Sequence, residues 1–327
     1  MRRVTGALLI VLAAAAASTC DPGNARFPSV SFVTGSTGSD WYRIGAAIAL
    51  HTNARVGGHP VTAVPGAGGI SNPARVGLMP GDFGVSFLPF LRLAYEGSAP
   101  YTRAYPDLRH VASLIPNAFH LIVSPSLGLK SIAEIKQRQL GLRIGTGPPG
   151  SGEELLLREA LGAHGITYAD IRRWGGRIDL LGSGERADLY RDNHIDVIAF
   201  NSNPPSSVIS ELLISRPALF LPIDDETRRA MAARWHVRPM EMPASVYPQQ
   251  NLVVSTVGMT FGIFTTVDMP DDLVYAMTAA IASQKSYLET VHVGFKGWQP
   301  RDMADNDGIE MHPGALKYYR ERGWVTP

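Results

Sequence analysis

Ser29-Val-Ser-Phe-Val-Thr34, Gly35-Ser-Thr-Gly-Ser39 and Asp40-Trp-Tyr-Arg-Ile-Gly-Ala-Ala-Ile-Ala-Leu50 follow one another without a break. Serine alternates with apolar residues in the first segment, which predicts a half-buried strand. The second is a glycine- and hydroxyl-rich turn. In the third, Trp41, Ile44, Ile48 and Ala49 recur near the helical period, so a helix follows the turn. The same format returns twice. Val61–Val64 leads through Pro65-Gly-Ala-Gly-Gly69 to a helix from about Ile70, and Leu140–Gly145 leads through Gly145-Thr-Gly-Pro-Pro-Gly-Ser-Gly152 to another. Further strands are predicted at Phe83–Phe87, at a segment ending in Ser113, Leu114 and Ile115, at Phe119–Val123 and at Ile195–Phe200. Ser131-Ile-Ala-Glu134 has the spacing of a capping box, and Asp224 and Asp271 read as helix N-caps. Strands alternating with helices predict an α/β fold of doubly wound sheets flanked by helices.

The chain has 327 residues, 45% apolar and 18% charged, with 33 glycines, 24 prolines and one cysteine. That composition excludes collagen-like, disordered and disulfide-stapled classes. Single cores stop growing beyond about 250–300 residues, so two lobes are expected. No linker marks a boundary, which points to lobes joined by crossing strands rather than by one tether. A formal charge of +1 is too balanced for a dedicated nucleic-acid binder.

Arg2 and Arg3, the apolar run Ala7–Ala17, and the small residues Ser18 and Thr19 before Cys20 have the layout of a bacterial secretory signal peptide over residues 1–19. The run is shorter than the roughly 20 residues a membrane span needs. Cys20 is the residue a lipid would be attached to, and membrane contact is expected through that lipid alone. An exported, periplasmic chain without cysteine beyond residue 20 argues against disulfides, thiolate metal sites, cysteine nucleophiles and nucleotide cofactors. The nine histidines include no HxxxH or HxH pair, so no metal site is expected. Gly145-Thr-Gly-Pro-Pro-Gly150 matches a dinucleotide fingerprint in spacing, but Pro148 and Pro149 remove the amides that would cradle a pyrophosphate. No G-x-S-x-G elbow is present, and no enzyme constellation is expected.

The three turns carry the functional expectation. In open α/β sheets such turns lie at the carboxyl ends of the strands, where ligands bind. Each presents backbone amides at a helix N-terminus, and glycine lets a ligand come close. Ser36, Thr37, Ser39 and Ser151 add hydroxyls, Gly68 and Gly69 open the second turn, and Tyr42 and Tyr247 each offer a phenol. Three such turns on one cleft suit a small carboxylate. Charge-assisted hydrogen bonds contribute roughly 1.5–3 kcal/mol each, so a few reach micromolar affinity without a buried arginine.

Several segments, in order along residues 29–325, resemble the TAXI family of solute-binding subunits of TRAP transporters. They are Thr34-Gly-Ser-Thr-Gly-Ser-Asp-Trp-Tyr-Arg-Ile-Gly45, Ala67-Gly-Gly-Ile-Ser-Asn72, Ile115-Pro-Asn-Ala-Phe-His-Leu-Ile-Val123, Gly147-Pro-Pro-Gly-Ser-Gly152, Met242-Pro-Ala-Ser-Val-Tyr247 and Met311-His-Pro-Gly-Ala-Leu-Lys-Tyr-Tyr-Arg-Glu321. The resemblance implies a type II periplasmic-binding-protein fold with hinge-crossing strands. One lobe would be residues 27–119 plus 247–327, and the other 120–246. It also implies a receptor that captures a small organic acid or amino acid and passes it to TRAP membrane subunits, with ligand contacts at Ser36, Tyr42, Gly69, Asn72, Pro149, Gly150, Ser151 and Tyr247. Four positions depart from the family pattern: Ser39, Asp40, Pro89 and Glu153. Asp40 and Glu153 place carboxylates at helix starts beside the expected site. They either serve the helices or meet the amine of a zwitterionic ligand. Pro65-Gly-Ala-Gly-Gly69 by itself resembles the receptors of tripartite tricarboxylate transporters. The sequence also leaves open a receptor that serves a sensor kinase and, with less support, an exported hydrolase.

Overall fold

In the computed structural model, residues 27, 29–58 and 60–326 are described; the expected signal peptide and Cys20 lie outside them. In chain order the elements are β1 (Val30–Val33), α1 (Asp40–Val56), β2 (Val61–Val64), α2 (Ser71–Leu78), β3 (Phe83–Phe87), α3 (Leu88–Glu96), β4 (Leu108–Val123), α4 (Ala133–Gln137), β5 (Arg143–Thr146), α5 (Gly152–Ala163), α6 (Tyr168–Arg173), β6 (Arg177–Leu180) and α7 (Ser183–Arg191). They continue with β7 (Val197–Ser202), α8 (Ser207–Ser215), β8 (Leu219–Phe220), α9 (Asp225–Trp235), β9 (Arg238–Met242), β10 (Val254–Thr266), α10 (Asp271–Ser283), α11 (Lys285–Val291) and α12 (Pro313–Glu321).

The ten strands among the described residues join one sheet, ordered β2-β1-β3-β10-β4-β7-β5-β6, with β8 added to β4 and β9 to β10. At one end β1 pairs in parallel with β2 and β3, and at the other β5 pairs in parallel with β6 and β7. Two long antiparallel strands connect these ends. β4 lies on β10 over residues 108–118 and on β7 over 118–123, while β10 reaches from β9 to β3. The sheet is therefore two α/β halves sharing a pair of crossing strands.

Residues 108–123 form one strand where the sequence predicts two, one ending at Ile115 and the next at Phe119–Val123. Pro116 sits in its middle opposite Thr260, and a register shift in β10 between Thr260 and Gly262 falls beside the proline, which lacks an amide to donate. Two predicted caps also shift. Ile132 occupies the N-cap of α4 in a helical conformation, so Ser131 stands one residue too early to cap it. Pro270 is the N-cap of α10, and Asp271 is instead a first-turn acid. Asp224 caps α9 as expected, accepting from the Thr227 amide at 2.9 Å.

β3 is buried along its whole length between β1 and β10, as expected of a continuous apolar run covered on both faces. Trp41 on α1 stands against Phe87 and Phe261, each with ring centroids 4.6 Å away, and fixes the first turn of α1 to the middle of the sheet.

Candidate functional site

The turns after β1, β2 and β5 open on a single cavity of about 50 Å³ between the two halves of the sheet. Ser36 and Ser39 line it from the first turn, Gly68 and Gly69 from the second, and Ser151 from the third. At roughly 10–15 Å³ per water-sized group, the space takes a handful of such groups.

Local chemistry shapes each turn. Ser39 caps α1, its Oγ accepting from the Tyr42 amide, and Ser151 caps α5, its Oγ accepting from the Glu154 amide at 3.3 Å. The second and third turns touch directly. The Gly150 carbonyl accepts from the amides of Ile70 and Ser71, both at 3.1 Å, so the N-terminus of α2 is already satisfied by the chain itself. Gly68 (φ +120) and Gly150 (φ +82) hold left-handed conformations at this contact, and a Cβ on Gly68 would lie 3.1 Å from Ser151 Cα.

Other expected residues sit around the cavity and do not line it. Asn72 is buried and braces the turn, donating from Nδ2 to the carbonyls of Thr34 and Val85, both at 2.9 Å. Tyr247 is buried too; its hydroxyl accepts from the Ser206 amide at 3.0 Å and meets His120 Nε2 at 2.9 Å. Because the phenol proton is free to point at Nε2, His120 fits as a neutral ring, and burial pushes its pKa down to about 4. Thr37, Tyr42, Pro149 and Gly150 are likewise outside the lining.

The half of the cavity that sequence reading missed comes from two further strand-turn-helix units. β6 leads through Leu181 and Gly182 to α7, and β7 leads through Asn203–Ser206 to α8. They supply Ser183, Arg186, Asn201, Ser202 and Ser206. Arg186 is 1% exposed. One of its terminal nitrogens donates to Glu153 Oε1 at 2.8 Å, the other to the Leu181 carbonyl at 2.8 Å, and the guanidinium carbon lies 4.5 Å from the centre of the Phe200 ring. The site thus contains the buried arginine that the amide-only scheme did without. Burial works against that charge and Glu153 supports it; an arginine keeps its proton in such a balance. Arg186 Nε and both side-chain amide atoms of Asn201 are buried without a protein partner.

Asp40 ties the halves together. Its Oδ2 accepts from the hydroxyls of Ser202 and Ser206, each at 2.8 Å, and its Oδ1 pairs with Arg43, which also donates to Ser207 Oγ at 2.6 Å. His292 Nε2 lies 3.6 Å from Oδ2. Burial opposes ionisation of this carboxyl, but His292 and the two hydroxyls outweigh it and hold its pKa well below the usual carboxylate range. Across the mouth, the Ser183 amide points at Ser36 Oγ from 3.4 Å.

Two α/β halves joined by crossing strands, with turns from both facing one cavity, define the two-lobed fold of periplasmic binding proteins. Solved structures agree on the fold. MatC from Rhodopseudomonas palustris, with bound malate, is 14% identical with a TM-score of 0.56 over 91% of this chain and 98% of that one. The periplasmic binding protein BugD is 13% identical with a TM-score of 0.55 over 91% and 95%. A second R. palustris protein, with adipate, is 15% identical with a TM-score of 0.54 over 92% and 97%. The chain itself belongs to the NMT1-like family, whose model matches residues 32–323.

Proposed function

We propose that this protein is an extracytoplasmic receptor that closes on a small organic acid or amino acid and delivers it to a TRAP-type membrane transporter, as the TAXI resemblance implies. Residues 27–119 with 247–327 form one lobe and residues 120–246 the other. Residues 1–19 direct export to the periplasm, and Cys20 is the lipidation site. The ligand lies between the lobes, within reach of Ser36, Ser39, Gly68 and Gly69 from one lobe and of Ser151, Arg186 and Asn201 from the other.

One observation carries this reading: polar groups that have no protein partner, Arg186 Nε and the Asn201 amide, are buried at a cavity lined from both halves of one sheet. Unpaired buried donors and acceptors cost about 1–3 kcal/mol each, and a polar ligand relieves that cost. Malate and adipate in two structural neighbours support a small polar solute. Against hydrolysis, Ser39 and Ser151 spend their oxygens as helix caps, and the carboxylate that accepts from Ser202 and Ser206, Asp40, has its pKa held well below the usual range, which makes it too weak a base to activate a hydroxyl.

A thermal-shift screen of carboxylates and amino acids on the mature protein tests the reading. A true ligand at 100 times its Kd stabilises the fold by about 2.7 kcal/mol and is recovered chemically unchanged. No stabilisation by any solute, or turnover of the best one, contradicts it.

A further inference from the structure

The charges at the cavity say more about the ligand than its shape does. Three charged side chains line it: Asp40, Glu153 and Arg186. Arg186 is paired with Glu153. Asp40 is paired with Arg43, which stands behind it and is 44% exposed. Among the described residues no lysine and no second arginine lines the cavity. The wall therefore holds two internal ion pairs and no surplus positive charge. His292, with Nε2 3.6 Å from Asp40 Oδ2, also faces that carboxylate, and its ring approaches from behind the lining.

A dianion closed into this space would bring two negative charges next to two carboxylates and a single arginine that is already engaged. Burying ions without matched partners is strongly unfavourable. A solute of zero net charge with separated poles meets no such difficulty. Its carboxylate can face the unpartnered Arg186 Nε and Asn201 Nδ2, and its ammonium can face Asn201 Oδ1 and the carboxylates of Asp40 and Glu153. Resting on the receptor reading, we infer that the site takes a small zwitterion, of the neutral amino-acid type, and discriminates against dicarboxylates such as those bound in the malate and adipate complexes of its structural neighbours. Glu153 is the residue that sets this preference, because it cancels the only cavity-lining cation among the described residues.

Calorimetric titration of the wild-type mature protein with L-serine, L-glutamine, L-malate and succinate tests the assignment. The expected result is a zwitterion binding at least tenfold more tightly than either dicarboxylate, with Glu153→Gln strengthening malate binding at least tenfold and Asp40→Asn shifting the ratio the same way. Malate or succinate binding as tightly as the best zwitterion to wild type overturns the charge assignment and leaves the receptor reading standing. Binding of none of the four at millimolar concentration overturns the zwitterion assignment, while the receptor reading falls only when no solute of the wider thermal-shift screen stabilises the protein. The ranking on wild type decides the matter even where a variant folds poorly.

Discussion

Asp40 and Arg186 are the two side chains on which the site's electrostatics turn. Asp40 has its pKa depressed in the folded chain, with the ordinary value at 3.8. A carboxyl of that kind contributes stability at pH values above its unfolded pKa and gives it up as pH falls through the lower folded value. Asp40→Asn should thus be less stable than wild type at pH 7, by about 1–3 kcal/mol for weakened bonds to Ser202 and Ser206. In urea unfolding, the gap should narrow as the pH drops below 3.8; a gap constant from pH 7 to pH 3 would show that the carboxylate charge is not what these contacts use. Arg186→Met strands Glu153, whose side chain is 15% exposed. Breaking one half of a buried pair costs about 3–5 kcal/mol, whereas replacing both halves is often close to neutral. The double variant Arg186→Met with Glu153→Leu should recover most of the lost stability in a double-mutant cycle, and equal losses in the single and double variants would place the role of Arg186 elsewhere.

Among the elements, strand-turn-helix units decide what can be read in advance. The units after β1, β2 and β5 announce themselves by apolar strands followed by runs of glycine and serine. Those after β6 and β7 do not. β6 is Arg177-Ile-Asp-Leu180, a polar edge strand without the apolar pattern that flags one. Asn203–Ser206 contains two prolines and no glycine. Arg186 therefore looks like an ordinary helix-surface arginine in sequence, although its Gly182-Ser-Gly184 entry repeats the format of the other turns. Tyr247 and Asn72 are legible as residues near the site, but their polar atoms go to backbone and to His120, which only packing reveals. The element-scale prediction concerns the contact of the second and third turns. Gly150→Ala forces a Cβ onto Ser71 Oγ at a left-handed φ of +82. That change should weaken ligand binding at least tenfold by holding the turns apart, while Gly162→Ala, where a Cβ meets nothing within 4 Å, should leave binding unchanged. Equal affinity in both variants would mean that the Gly150 carbonyl contact is not part of the closed site.

On the scale of the whole molecule, the crossing strands make the site. β4 and β10 are the only long strands among those described; they pair with each other, and β10 carries the end that begins with β3 while β4 carries the end that begins with β7. The alternation of strands and helices foretells two α/β halves, and the lack of a linker foretells strands between them. The fusion of two expected strands into β4 is hidden by Pro116, since a proline ordinarily ends a ladder and a shift in the partner strand is not visible in one sequence. The proposed closure about β4 and β10 would break and re-form the Asp40 contacts to Ser202 and Ser206 as a unit. The most direct measurement of the account is a crystal structure of the mature protein grown with the solute that stabilises it best. It should show that solute between the halves, its carboxylate on Arg186 Nε and the Asn201 amide and its other pole toward Asp40 and Glu153. A solute bound on the outer surface, with Arg186 and Asn201 untouched, would contradict it.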